Sequence, residues 1–168
     1  MKLADEIAYK LISWVQKTGG DIVIPNYYHG IYEMDVFKLT SSGYIHEFEI
    51  KISKSDYMAD FKKNDFKKEL KHDKISQGKR SNKFFFVVPE GLLSKEDIPN
   101  HAGLILYTKY KTFKIIKPAP LLHKNLFTDY KSLATSLSYR EMIWRRRLNY
   151  IRTVGKRSSN LPTWNGLV

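Results

Sequence analysis

Asp35, Glu49 and Lys51 are the residues of this chain whose types and spacing could assemble a reactive site. They fall in the stretch 33–52, where Met34, Val36, Phe48, Ile50 and Ile52 share one parity and Glu33, Asp35, Glu47, Glu49 and Lys51 share the other. Period-two alternation of this kind predicts a β-hairpin, here with carboxylates gathered on one face. Carboxylates held that close repel one another unless positive charge sits between them. A divalent cation bound by oxygen ligands answers that need, with Lys51 beside it.

Whether the acids meet depends on the loop between the arms. A two-residue turn at Ser42-Gly43 would put Asp35 and Glu49 on opposite faces. A three-residue loop, Ser41-Ser42-Gly43, pairs Thr40 with Tyr44 and hence Asp35 with Glu49, with Cβ atoms roughly 5 Å apart if pairing persists that far. Three-residue hairpin loops end in a left-handed residue, and Gly43 stands where that residue is required. The odd loop is therefore the expectation.

Other elements must position the hairpin. Leu3, Ile7, Leu11 and Val15 recur every four residues and predict a helix over 2–18, closed by Gly19-Gly20. Ile22-Val23-Ile24 reads as a short strand stopped by Pro25, followed by a loop over 26–30. Ser53 to Asp56 resembles a capping box, and a lysine-rich helix is expected from there to about Lys71, with a polar loop over 72–82. The run Lys83–Val88 predicts a strand covered on both faces. Strand, helix, strand in this order implies a parallel crossover. A short helical segment is expected within 92–98, two strands over 104–107 and 112–116, and a long helix from about Asp129 that carries Arg140, Arg145, Arg146, Arg147 and Arg152.

Composition narrows the class. The chain has 168 residues, 42% hydrophobic and 14% aromatic, enough for one sizeable core and against disorder. The expected organisation is a single domain over 1–155 and a loose tail over 156–168. The absence of cysteine excludes a disulfide scaffold, a thiolate zinc site and a cysteine nucleophile, and the five histidines show no ligand spacing. No apolar run reaches membrane length, so a soluble protein without a membrane partner is expected. Lys and Arg exceed Asp and Glu by 29 to 17, a formal charge of +12 that points to a polyanionic partner, most often nucleic acid.

The order helix, strand, Asp, hairpin, Glu-x-Lys, helix, strand resembles the PD-(D/E)xK nuclease superfamily, on Met34-Asp35 and Glu49-Ile50-Lys51, with Met34 in place of the family's proline. More narrowly, residues 49–60 (Glu-Ile-Lys-Ile-Ser-Lys-Ser-Asp-Tyr-Met-Ala-Asp) look like the MmcB-like family associated with DNA repair. So do 71–74 (Lys-His-Asp-Lys), 84–91 (Phe-Phe-Phe-Val-Val-Pro-Glu-Gly) and 98–104 (Ile-Pro-Asn-His-Ala-Gly-Leu). The resemblance covers roughly residues 30 to 107. It implies an α/β fold: a three-layer restriction-endonuclease-like core with a mixed central sheet flanked by helices, to which the long basic C-terminal helix is added.

It also implies metal-dependent phosphodiester hydrolysis, usually of DNA in repair, recombination or phage DNA processing. Asp35 and Glu49 carry over as ligands of Mg²⁺ or Mn²⁺, with the backbone carbonyl of Ile50 as a third and Glu6 as a more distant candidate. Lys51 carries over as the group beside the attacking water. Glu33 and Glu47 share the face as supporting or solvated groups. Lys54, Lys62, Lys63, Lys71, His72 and Lys74, with Arg145, Arg146 and Arg147, are the candidates for phosphate contacts to double-stranded or branched DNA. For His72 and Lys74 a solvated loop is an equal alternative. The expected setting is the cytoplasm of a bacterial cell or phage-infected host, with a homodimer left open. Two other readings stand beside this one: a catalytically inactive DNA-binding protein on the same fold, and an RNA-binding module favoured by charge alone. For the three central residues the plain alternative is an exposed hairpin face with a cross-strand ion pair of little energetic worth.

Overall fold

A computed structural model of the chain describes residues 2–16, 19–29, 32–63 and 70–154. Met1–Phe127 form one compact unit and Thr128–Val168 a second. The expected tail over 156–168 lies outside the described residues.

The first unit is α/β. Its six strands are β1 (Ile22–His29), β2 (Tyr32–Leu39), β3 (Ile45–Ile50), β4 (Lys83–Pro89), β5 (Ala102–Tyr107) and β6 (Phe113–Lys117), side by side in chain order. The sheet is mixed: β3, β4 and β5 run parallel and the other neighbours antiparallel. Helix α1 (Leu3–Val15) buries Ile7, Leu11 and Val15 against Val36, Phe48, Ile50, Phe85, Val87 and Ile105. Helices α2 (Lys54–Asp60) and α3 (Lys71–Ser76) supply Tyr57 and Ile75 to a second core with Phe84, Phe86, Val88 and Leu104. Alternate residues of the Lys83–Val88 run therefore feed different cores, as expected of a strand covered on both faces, and the sheet lies between α1 and the α2–α3 pair in three layers.

The hairpin loop is odd-numbered. Leu39 pairs with Ile45 and Val36 with Phe48, the Thr40 N–H donates to the Tyr44 carbonyl at 2.9 Å, and Gly43 has φ +84°. This is the register that places Asp35 opposite Glu49.

Three elements differ from expectation. Strand β1 runs through Pro25 to His29, because β1 is the sheet edge and a proline there can turn its missing N–H away from the ladder. The lysine-rich helix stops at Asp60, where Lys62 and Lys63 close tight turns on the carbonyls of Ala59 and Asp60. The chain then returns as α3 inside the stretch read as loop, with the Lys71 N–H bonded to the Lys63 carbonyl at 2.9 Å. Lys71, His72 and Ile75 make the buried side of that helix, and two of the three are polar, which concealed its amphipathic pattern. The segment expected within 92–98 is a 3₁₀ turn, Lys95–Asp97.

The second unit contains the long helix α4, Tyr130–Val154. Among the described residues no helix is long and apolar enough to cross a membrane.

Candidate active site

The site begins where β2 and β3 part. Their ladder ends at Val36–Phe48, and the ladder between β1 and β2 skips the position of Asn26 opposite Asp35, where Asn26 has φ +49°. The Asp35 side chain occupies the opened rung: its Oδ2 accepts the Ile50 N–H at 2.7 Å. On the far side of β3, the Lys51 N–H donates to the Val87 carbonyl at 3.0 Å, so strand alternation turns the Ile50 N–H and carbonyl together toward β2 and Asp35. Asp35 has no ion pair among the described residues. Burial, reinforced by the charge of Glu49, pushes its carboxyl up to about 6 against the opposing pull of the Ile50 N–H and of Lys51 and Lys71.

Glu49 and Lys51 lie on the same face as Asp35, but not on a solvated one: both are 2% exposed. Lys51 Nζ lies 2.8 Å from Glu49 Oε1 and 3.0 Å from Asp60 Oδ1. Lys71 Nζ lies 2.8 Å from Glu49 Oε2, and Lys63 Nζ lies 3.3 Å from Glu49 Oε1 and 2.8 Å from Asp60 Oδ1. Burial works against the charge on Glu49, but Lys71 and then Lys51 outweigh it and hold the carboxyl below its usual range. Asp60 likewise stays ionised despite complete burial, through its bond to His72 and the charges of Lys71 and Lys51. The same attraction raises Lys71, where Glu49 and Glu47 overcome desolvation. The simple exposed-face alternative does not describe these groups; they form a buried, mutually compensated cluster.

Asp60 and His101 have no role among the expectations from sequence, in which Lys71 and His72 are candidate phosphate contacts. In the structure His72 Nε2 lies 2.8 Å from Asp60 Oδ2 and its Nδ1 lies 2.9 Å from His101 Nε2. An ionised Asp60 must accept, so His72 donates from Nε2, while its Nδ1 shares a hydrogen bond with His101 Nε2. Burial, then the neighbouring His72 and Lys117, holds His101 down to about 4, consistent with a neutral ring in that chain. The His72 ring stacks on Phe61 at 4.3 Å between centroids and contacts Phe86 at 5.6 Å. Lys71 is 1% and His72 5% exposed, so neither presents its charge to a polyanion; Lys71 spends its charge on Glu49. Collinearity of Lys71-His72 with the family pattern was the signal available, but not the side it faced.

Other candidates are placed as follows. Lys54 and Lys62 are exposed, Lys63 is half-exposed and holds the cluster, and Lys74 is half-buried. Glu33 is exposed, whereas Glu47 is fully buried, with Oε1 3.5 Å from Arg80 and 3.7 Å from Lys71. Glu6 does not join Asp35 and Glu49; it accepts from the Tyr107 hydroxyl at 2.8 Å and pairs with Lys111 at 2.9 Å. In the second unit, Arg145, Arg146 and Arg147 are exposed on α4, and Arg145 pairs with Glu141 at 2.7 Å.

Among the described residues no three Asp, Glu or His side chains converge as a ligand set. The oxygens that suit a hard cation are the second oxygen of Asp35, a lone pair of Glu49 and the Ile50 carbonyl. A cation there would relieve the Asp35–Glu49 repulsion that raises Asp35, so the donor chemistry fits. It would share Glu49 with ammonium groups already bound to both of its oxygens.

No protein-family model matches the chain, and no curated protein matches it. Among solved structures, a protein of unknown function from Silicibacter pomeroyi is similar to it, with a TM-score of 0.59 and 17% identity over 96% of this chain and 99% of that one. That likeness concerns the fold alone.

Proposed function

We propose that this chain is a Mg²⁺- or Mn²⁺-dependent DNA endonuclease of the PD-(D/E)xK kind, built on a restriction-endonuclease-like core and similar to the MmcB-like repair family. The observation that supports it most is the splayed hairpin, which turns the Asp35 carboxyl, the Ile50 backbone and Glu49 to one place beside Lys51 while leaving Asp35 short of positive charge. Asp35, Glu49 and the Ile50 carbonyl would hold the cation. When bound, it lowers the pKa of a coordinated water and offsets charge on the phosphate. Lys51, fixed between Glu49 and Asp60, orients that water and stabilises charge at phosphorus. Exposed lysines such as Lys54 and Lys62, with Arg145, Arg146 and Arg147 of α4, would hold the DNA backbone.

One observation favours the alternative, a non-catalytic DNA-binding protein: Glu49 is already neutralised by Lys51, Lys63 and Lys71 without a metal. Incubation of the purified protein with plasmid, single-stranded and branched DNA, with Mg²⁺ or Mn²⁺ and with EDTA, separates the two. Cleavage that EDTA blocks and that falls by at least about 10²-fold in Asp35→Asn supports the nuclease. Salt-sensitive binding with no cleavage supports the alternative.

A further inference from the structure

We infer that Asp60, braced by His72 and His101, is the positioning residue for Lys51, so that a chain of three side chains from α2, α3 and the turn before β5 sets the geometry of a group on the sheet. The inference rests on the hydrolytic reading above for its consequence, but not for its geometry. A lysine ends in a freely rotating ammonium on a flexible stem, and a single acceptor leaves it a cone of positions. Lys51 Nζ has two buried carboxylate acceptors, Glu49 Oε1 at 2.8 Å and Asp60 Oδ1 at 3.0 Å, from different layers of the fold. Glu49 would be shared with a cation, so Asp60 is the acceptor that keeps Lys51 in place when Glu49 is engaged.

Apart from Lys51 and from Lys71, whose Nζ lies 3.5 Å from Oδ2, Asp60 is held by two neighbours of different kinds. Its Oδ1 also takes Lys63 at 2.8 Å, while Oδ2 takes the His72 ring at 2.8 Å. The lysine is half-exposed and on a flexible stem, whereas the ring is clamped by Phe61, Phe86 and the edge contact of Phe84 at 5.4 Å. The rigid partner therefore sets the carboxylate plane, and the bond between His72 Nδ1 and His101 Nε2 holds the imidazole from its other edge. A merely structural role, tying α2 to the sheet, would be served by any buried pair. A carboxylate from the end of α2 aimed at Lys51 through an aromatic-clamped imidazole is a more demanding arrangement.

The test uses the full chain and two variants, Asp60→Asn and His72→Phe. The second keeps the ring stack and removes the bonds to Asp60 and His101, so it carries the experiment if Asp60→Asn fails to fold. The first measurement is the nitrogen-15 ammonium resonance of Lys51 in metal-free protein, identified by its loss in Lys51→Arg. Wild-type protein should show it protected from exchange with water, and both variants should lose that protection. The second is steady-state cleavage with Mg²⁺, where kcat should fall by about 10²-fold while KM stays within about twofold. A Lys51 resonance that is unprotected in the wild type, or equally protected in the variants, overturns the inference, whatever happens to cleavage. If the wild type does not cleave DNA at all, the nuclease reading fails while the resonance still decides the positioning of Lys51.

Discussion

Asp35 carries the sharpest consequence at the scale of a single residue. Its folded carboxyl titrates at about 6 against an ordinary value of 3.8. Below about pH 4 both states hold the proton and the residue is neutral to stability. Between there and pH 6 the unfolded chain releases its proton first, so rising pH destabilises the fold, and above about 6 the whole cost is felt. Asp35→Asn keeps an acceptor for the Ile50 N–H and removes that cost. Urea unfolding without metal should show the variant more stable by about 2–3 kcal/mol at pH 8 and unchanged near pH 4, and an equal gain at both values would place its origin elsewhere. A second expectation is a reversal with metal. Millimolar Mg²⁺ at pH 8 should stabilise the native protein and leave Asp35→Asn unmoved, because a cation that needs Asp35 binds only the folded, deprotonated site. Calorimetric melts with and without the ion check it.

At the scale of elements, the site depends on where strands stop pairing. The odd loop at 41–43 sets the parity that brings Asp35 across from Glu49, and Gly43 at φ +84° makes that loop possible. Strand β5 approaches its neighbours closely at Gly103, where an added Cβ would lie 2.6 Å from Phe85 Cδ1 and 2.7 Å from the Ala119 backbone nitrogen. The two glycines should respond differently to alanine. Gly43→Ala meets Leu126 only at ordinary contact distance, 3.5 Å, and pays for backbone strain, about 1 kcal/mol. Gly103→Ala must move an aromatic ring and a main chain, and should cost about 3 kcal/mol or more. Denaturant midpoints that fail to rank Gly103→Ala as the more damaging would show that β5 and Phe85 yield more easily than their packing suggests.

The whole molecule is a strongly basic chain whose positive charge is of two kinds. Lys71 is consumed inside the first unit by Glu49 and cannot answer an external phosphate, and Lys51 is held there between Glu49 and Asp60. Other basic side chains among the described residues are exposed, and on α4 these include Arg145, Arg146 and Arg147. If those arginines contact phosphates, replacing all three with Gln should lower the slope of log K against log salt for duplex binding by up to about 3. Arg145, paired with Glu141 at 2.7 Å, should contribute least of the three. Fluorescence anisotropy over a salt series measures it, and an unaltered slope would remove the helix from the interface.

Local patterning determined much of this protein in advance. Period-two alternation, a glycine where a left-handed residue is needed, and an apolar run bounded by Asn82 and Pro89 specify the hairpin, its register and the doubly covered strand, because each depends on residues within a few positions of one another. Asp35 and Glu49 were legible for the same reason: one loop length relates them. The partners of that pair were not. Lys71 lies 22 positions from Glu49 and Asp60 lies 12 from His72, and their types resemble those of any solvated helix face. Only the crossover, which folds α2 and α3 onto β3, turns them inward and makes the hairpin's face buried. There the low dielectric requires every charge to find its opposite. Tertiary structure thus decided which basic residues complete the buried cluster and which remain on the surface.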